Sequence, residues 1–198
     1  MSEIKIIEKP DNVSYQTIRE ILQQAHKANF DAGIMMAVPN LSADGLREHV
    51  GENGKTFIAV DGEKIVGTLS FRVVHINKWY WKSDLAEETM VGIIPEYQGK
   101  HIYPMLEKVS HDFIRKMGYR GIRFDTAETN KKKLRLAEID GYRYIDFKAP
   151  KTNHYNVVML RWLDGCPYSL FQTNFYFKLK KLLIKARYKP GRIKRFGI

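Results

Sequence analysis

Gln98, Gly99, Lys100 and His101 form a polar step between a strand-like run and a helical pattern, and a step of this kind can hold an anion. Upstream, residues 90–94 are apolar and β-branched, and Pro95 ends the pairing because it has no N–H to donate. Downstream, Ile102, Leu106, Val109, Phe113, Ile114 and Met117 recur at helical spacing, and Gly118 supplies a stop. Pro104 fits the first helical turn, where its missing N–H costs nothing. The unpaired N–H groups of that turn and the positive end of the helix dipole both face the step. Gln98 adds a donor, Gly99 permits close approach and Lys100 adds a cation. An ordinary strand–helix connection has the same local pattern.

Proton-transfer groups lie at neighbouring strand ends. Glu87 and Glu88 stand before the central strand, His75 at the end of the preceding one, and Asp125 and Glu128 in and just after a later one. Each can move a proton; each also fits a solvated strand end or an ion pair. His101 can hydrogen-bond a phosphate or pack beside Tyr103. No metal-ligand spacing and no Ser–His–acid set stands out in the sequence.

These groups must be positioned by about one domain of chain. The 198 residues allow a real core, and the single cysteine, Cys166, rules out an intrachain disulfide. The first residues alternate in strand fashion and do not read as a signal peptide. No apolar run is long enough to span a bilayer. A cytoplasmic protein is the expectation.

A first strand is expected near Ile4 and Ile6, then a helix over residues 14–29 with Ile18, Ile21, Leu22 and Ala25 as its buried stripe. Ser42 is the expected N-cap of a short helix through Val50. Residues 30–41 read as a loop with Met35 and Met36 as apolar anchors. Residues 56–60 and 64–74 are two strands joined by Asp61-Gly62-Glu63. Residues 75–87 read as a connection, in which Trp79, Tyr80 and Trp81 either pack on the core or form an acceptor platform. Further strands are expected over 121–126, 143–147 and 155–162, with a helix over 131–139 after Asn130, itself a fitting N-cap.

Val-Gly-Ile-Ile-Pro-Glu-Tyr-Gln-Gly-Lys-His-Ile-Tyr-Pro-Met-Leu, residues 91–106, resembles the acyl-coenzyme A site of the GNAT family of N-acetyltransferases, which carries Val-x-Pro-x-x-(Gln/Arg)-x-x-Gly-x-(Gly/Ala). Ile93, Pro95 and Gln98 match, while His101 and Tyr103 stand where small residues are expected. Residues 57–71 resemble that family's second and third strands. Asn130, Leu136, Gly141 and Tyr142 match its Asn-x-x-Ala-x-x-Leu-Tyr-x-Lys-x-Gly-Phe pattern, with Ala137 at the place of the usual tyrosine, the general acid of many relatives. The resemblance covers residues 3–163. It implies an α/β (α+β) fold with a mixed, mostly antiparallel sheet flanked by helices. It also implies acetyl-CoA or another acyl-CoA as co-substrate, with no metal. Cofactor contacts are then expected at Gly92, Ile93, Ile94, Gln98, Gly99, Lys100, His101, Ile102, Tyr103 and Asn130, the N–H groups of Gly92 and Ile93 serving the pantetheine and the thioester carbonyl. Glu88 is the first candidate base, His75 the second, and Asp125 a third.

The net charge of +11 is concentrated at the C-terminus. Up to Asp164, 24 basic residues face 22 acidic ones; beyond it stand nine basic residues and no acid. The expected division is residues 1–164 as the acyltransferase domain and 165–198 as a basic extension, with a helix over 168–188. Phe175, Tyr176, Leu179, Leu182, Leu183 and Ala186 form an apolar stripe bordered by Lys178, Lys181 and Lys185 on one flank and Lys180 and Arg187 on the other. Such a helix suits an anionic membrane surface, here the inner face; a helix packed on the domain is the plainer alternative. Nucleic acid is disfavoured because no recognised module accompanies the charge. The extension also resembles those of GNAT-like proteins linked to surface-polysaccharide synthesis. The expected reaction is acyl transfer to a primary amine of a small acceptor, an amino sugar of a surface-glycan precursor being the specific choice. A GNAT-fold binding or scaffold protein without transfer activity is the rival. The oligomeric state is not read from the sequence.

Overall fold

The computed structural model describes residues 3–33, 36–78, 81–149, 154–163 and 170–188. They fall into two compact units, Met1–Arg120 and Gly121–Ile198. In the first, β1 (Ile4–Glu8), β2 (Lys55–Asp61), β3 (Lys64–Lys78) and β4 (Trp81–Ile93) pair antiparallel in chain order. Helices α1 (Tyr15–Ala25), α2 (Lys27–Asp31) and α3 (Ala43–Val50) lie between β1 and β2, and α4 (Ile102–Lys116) follows β4. Ser14 caps α1 by accepting from the Thr17 N–H, and Ser42 caps α3 by accepting from the Gly45 N–H, both at 3.1 Å.

Alternation along the strands divides the core. Ile58 and Met90 join Ile18 and Leu22 of α1 and Leu46 and Val50 of α3 in one cluster. The neighbouring position, Phe57, faces the other way, with Phe71, against Phe113 of α4 at centroid separations of 5.8 and 5.9 Å.

Within the expected connection over residues 75–87, residues 75–78 and 81–87 are instead strand. Arg72 pairs across the ladder with Glu87, and His75 with Asp84. The opposite charges of Arg72 and Glu87 and the hydrogen bond between His75 and Asp84 lie directly across the ladder and support it. Trp81 opens β4, while Trp79, Tyr80 and Met35 lie outside the described residues. The expected first helix also ends early, at Ala25, with α2 beginning after His26.

The second unit pairs β5 (Gly121–Ala127), β7 (Asn156–Trp162) and β6 (Arg143–Lys148) antiparallel in that order, with α5 (Lys131–Ile139) between β5 and β6. The central strand β7 buries Val157, Val158, Met159 and Leu160 in succession, as a strand covered on both faces must. The last helix, α6 (Leu170–Arg187), packs on β6 of this unit. Phe177 is its buried anchor, 4.8 Å from the Tyr144 ring and 6.0 Å from that of Phe147. Lys180 pairs with Asp146, and Lys181 and Lys185 with Glu128. Burial pulls the Glu128 carboxyl up, but the two lysines outweigh it and hold the group below its ordinary value.

Candidate functional site

The strand, the turn and the helix all lie in the first unit. β4 runs to Ile93, a short 3₁₀ turn spans Pro95–Tyr97, and α4 begins at Ile102. Ile94 N–H donates to the Val66 carbonyl at 3.0 Å, holding the strand end against β3. Gln98 turns back and donates its amide to the Ile93 carbonyl at 3.0 Å, so its side chain braces the turn. Gly99 sits at φ +81°, and a Cβ built there meets nothing within 4 Å. The backbone is thus open to a ligand and closed to ordinary residues by conformation. Lys100 lies 4.2 Å and Lys64 5.4 Å from the centre of the Tyr97 ring, so two cations flank the step. Tyr97 in turn donates to Asp61 at 2.7 Å, and that carboxylate pushes its phenol up.

His101 precedes α4 in the left-handed region at φ +59°, and its side chain makes no capping bond. This is a physical reason for glycine at this place in relatives: the conformation disfavours a Cβ by about 1 kcal/mol. Ile102 sends its side chain into the core, so only its backbone can serve a ligand. No acidic residue occupies the first turn of α4. A diphosphate would find there uncancelled helix-end N–H groups, an open glycine and a nearby lysine.

β4 carries a bulge just before this step. Between Thr89 and Gly92 it has one residue more than β3 has between Ser70 and Thr68. Met90 takes up the excess at φ +52°, an uncommon conformation for a residue with a side chain. Two contacts hold it there. The Met90 side chain is buried in the cluster with α1 and α3, and the neighbouring Val91 carbonyl accepts a 2.8 Å hydrogen bond from His26 Nε2. Asn29 donates to His26 Nδ1 at 3.3 Å, so the imidazole is neutral and protonated on Nε2. Burial pushes the His26 pKa down, against the opposing effect of the Val91 carbonyl. His26 escaped the sequence reading because 65 residues separate it from its partner. Gly92 has a packing reason as well: a Cβ there would stand 3.0 Å from the Ala25 Cβ and 3.1 Å from the Leu22 Cδ2 of α1.

Of the three candidate bases, Glu88 alone is buried. Its side chain is 1% exposed and meets His111 Nε2 at 2.6 Å, the imidazole being 4% exposed. One turn earlier on α4, Glu107 lies 4.0 Å from His111 and accepts the Tyr103 hydroxyl at 3.0 Å. Tyr103, Glu107, His111 and Glu88 therefore form a polar string from the first turn of α4 to β4, seen only once α4 lies on the sheet. The ligand atoms of Glu88, Glu107 and His111 lie within 4.8 Å of one another. The 2.6 Å contact is shorter than the roughly 3.3 Å between two ligands of one tetrahedral ion with ~2.0 Å bonds, so the arrangement is an acid–imidazole pair. His75 is exposed and bonded to Asp84 at 2.6 Å. Its position on β3 lies four residues from Phe71, the ladder partner of Glu88, or about 13 Å along the strand. The structure does not bring those two candidates together.

Asp125 and Asn130 belong to the second unit. Asp125 is part-exposed and pairs with Lys148 at 2.7 Å. Asn130 caps α5 by accepting from the Lys133 N–H and donates to Thr126 Oγ1 at 3.2 Å. Ala137 is buried in α5, and Tyr142 packs on Phe124 with centroids 5.1 Å apart.

Comparison with known proteins agrees with this fold. The structure is similar to the ribosomal-protein-S18-alanine N-acetyltransferase of Escherichia coli, at 16% identity and TM-score 0.64, covering 84% of this chain and 98% of that one. It is similar to a GNAT-family acetyltransferase of Staphylococcus aureus, at 19% identity and TM-score 0.61, covering 81% and 99% of the two chains. Arabidopsis thaliana NAA60, solved with acetyl-CoA, matches at 15% identity and TM-score 0.62, covering 82% and 100%. No curated protein sequence matches the chain. Residues 15–142 match the profile of the Acetyltransferase (GNAT) family, and they include β4, its bulge, the turn after it and α4; the chain belongs to that family of acyl-CoA-dependent N-acetyltransferases.

Proposed function

We propose that this acetyltransferase acylates the primary amine of a small acceptor, an amino sugar of a nucleotide- or lipid-linked glycan precursor, in the cytoplasm. The observation that carries the transferase reading is the step from β4 to α4: an open Gly99 and a helix end without acids, beside Lys100. Acetyl-CoA supplies an activated thioester. The chain's part is to grip the diphosphate with the N–H groups from Gly99 to Tyr103 and to present the backbone of Gly92 and Ile93 beside the bulge to the acyl arm. Glu88 takes the role of proton acceptor, with His111 orienting its carboxylate through the 2.6 Å bond. His75 and Asp125 are weaker candidates because each is exposed and already bonded, His75 to Asp84 and Asp125 to Lys148. The sugar choice is supported by the likeness of the basic C-terminal segment to those of GNAT-like proteins linked to surface polysaccharides.

A second reading, binding without transfer, draws on Ala137. A methyl stands where the resemblance implies a tyrosine hydroxyl to protonate the leaving thiolate. Calorimetry with acetyl-CoA, followed by free-thiol release over a panel of amines that includes nucleotide-linked amino sugars, separates the two. Binding with amine-dependent thiol release supports transfer. Binding without release from any amine supports the second reading, and no binding refutes both. Release from peptide amines but not from amino sugars would overturn the choice of acceptor alone.

A further inference from the structure

Helix α6 is apolar on two sides. Phe177 and Ile184, seven residues apart, lie on the side that packs on β6. The opposite side carries Phe175, Tyr176, Leu179, Leu182 and Leu183, which remain 60%, 48%, 45%, 68% and 59% exposed. Isolated exposed apolar residues are ordinary, but five large ones along one helical line mark a contact surface. The charges around this stripe sort in the same way. Lys180, Lys181 and Lys185 are engaged with Asp146 and Glu128 on the packed side. Lys178 and Arg187 are exposed, and the chain beyond the helix adds Lys189, Arg192, Lys194 and Arg195 with no acid among them.

We infer that the exposed stripe of α6, with the basic residues beside and beyond it, docks the protein on an anionic membrane surface. The stripe enters the headgroup region, and the cations meet lipid phosphates of the cytoplasmic leaflet. A second copy of the chain fits less well. A two-fold interface through this stripe would bring two like-charged C-terminal segments together with no acidic residue after Asp164 to receive them. Nucleic acid would satisfy the cations and leave the stripe in water.

Because α6 packs on β6, deleting it would expose Tyr144 and Phe147, so the test uses the full chain. The stripe variant is Leu182→Glu with Leu183→Glu, and the charge variant is Arg192→Gln, Lys194→Gln and Arg195→Gln. Each is co-sedimented with vesicles of phosphatidylcholine, alone or mixed with phosphatidylglycerol, at about 0.1 M and about 1 M salt, between which the Debye length falls from ~10 Å to ~3 Å. The unchanged protein should bind the mixed vesicles and bind the neutral ones far less. The stripe variant should lose about tenfold or more at both salts, with its unfolding midpoint unchanged. The charge variant should lose binding at low salt only. Equal sedimentation of the stripe variant and the unchanged protein would overturn the inference, as would no binding of the unchanged protein to anionic vesicles. A dimer in light scattering that the stripe variant converts to monomer, without vesicle binding, would assign the stripe to self-association instead. None of these readouts uses acyl transfer, so the result stands apart from the proposed reaction.

Discussion

Replacing His111 by leucine tests the acid–imidazole pair most directly. Glu88 and His111 are 1% and 4% exposed at their side chains, so the carboxylate is almost fully removed from water. Deleting one partner of a buried hydrogen-bonded pair costs about 1–3 kcal/mol, because the remaining polar group keeps its desolvation penalty. Against a total stability of about 5–15 kcal/mol this is a large fraction. For a chain of this size it corresponds to a fall in Tm of about 2–12 °C, at roughly 2–4 °C per kcal/mol. Replacing both residues by leucine removes the polar group together with its partner and should restore most of the loss. Urea unfolding of the parent, Glu88→Leu, His111→Leu and the double variant closes the cycle and isolates the coupling. A loss below about 1 kcal/mol for His111→Leu, with coupling near zero, would refute the buried pair as a structural unit. If Glu88 is the proton acceptor, Glu88→Gln should also lower kcat with little change in acetyl-CoA affinity, since the anion step is untouched.

Three further outcomes follow from separate parts of the chain. Gly99→Val should weaken acetyl-CoA binding through its φ of +81° rather than through a clash, whereas His101→Gly should raise stability by about 1 kcal/mol by relieving the left-handed residue; calorimetry and thermal unfolding read the two effects. Stability should fall as pH drops below 6.5, the ordinary histidine value, because burial depresses the pKa of His26 and the unfolded chain then binds the extra proton. His26→Gln, which keeps an amide donor for the Val91 carbonyl, should flatten that part of the profile; an unchanged slope would clear His26. Phe177→Ala should cost about 3–5 kcal/mol as a core truncation, and a loss under about 1 kcal/mol would contradict the packing of α6 on β6.

Elements that are specified locally were legible in the sequence. Ser42 and Asn130 mark helix starts by their own side chains, and the observed α5, Lys131–Ile139, coincides with the expected span. The strand–turn–helix step was visible because Pro95, Gly99 and the apolar spacing of α4 lie within one continuous stretch. Asp61-Gly62-Glu63 fixed a hairpin for the same reason. The strands over 75–78 and 81–87 were hidden because part of their support comes from side chains that meet across the ladder, Arg72 with Glu87 and His75 with Asp84. Pairing across a hairpin of this length is a property of two segments, which composition of one cannot show.

The site's finer chemistry was decided by tertiary structure. In the sequence Glu88 is the first candidate base but stands among several carboxylates at strand ends; α4 crossing the sheet makes it the buried partner of His111. The bulge at Met90 exists because α1 and α3 accept its side chain and His26 holds the next carbonyl. The apolar stripe of α6 was legible by spacing, yet which side packs was not, since the helix is apolar on two sides. Phe177 won the packed side because the rings of Tyr144 and Phe147 receive it and because Asp146 and Glu128 receive the lysines that flank it. Periodicity identifies the faces a helix has; only the surface it meets determines which of them is buried.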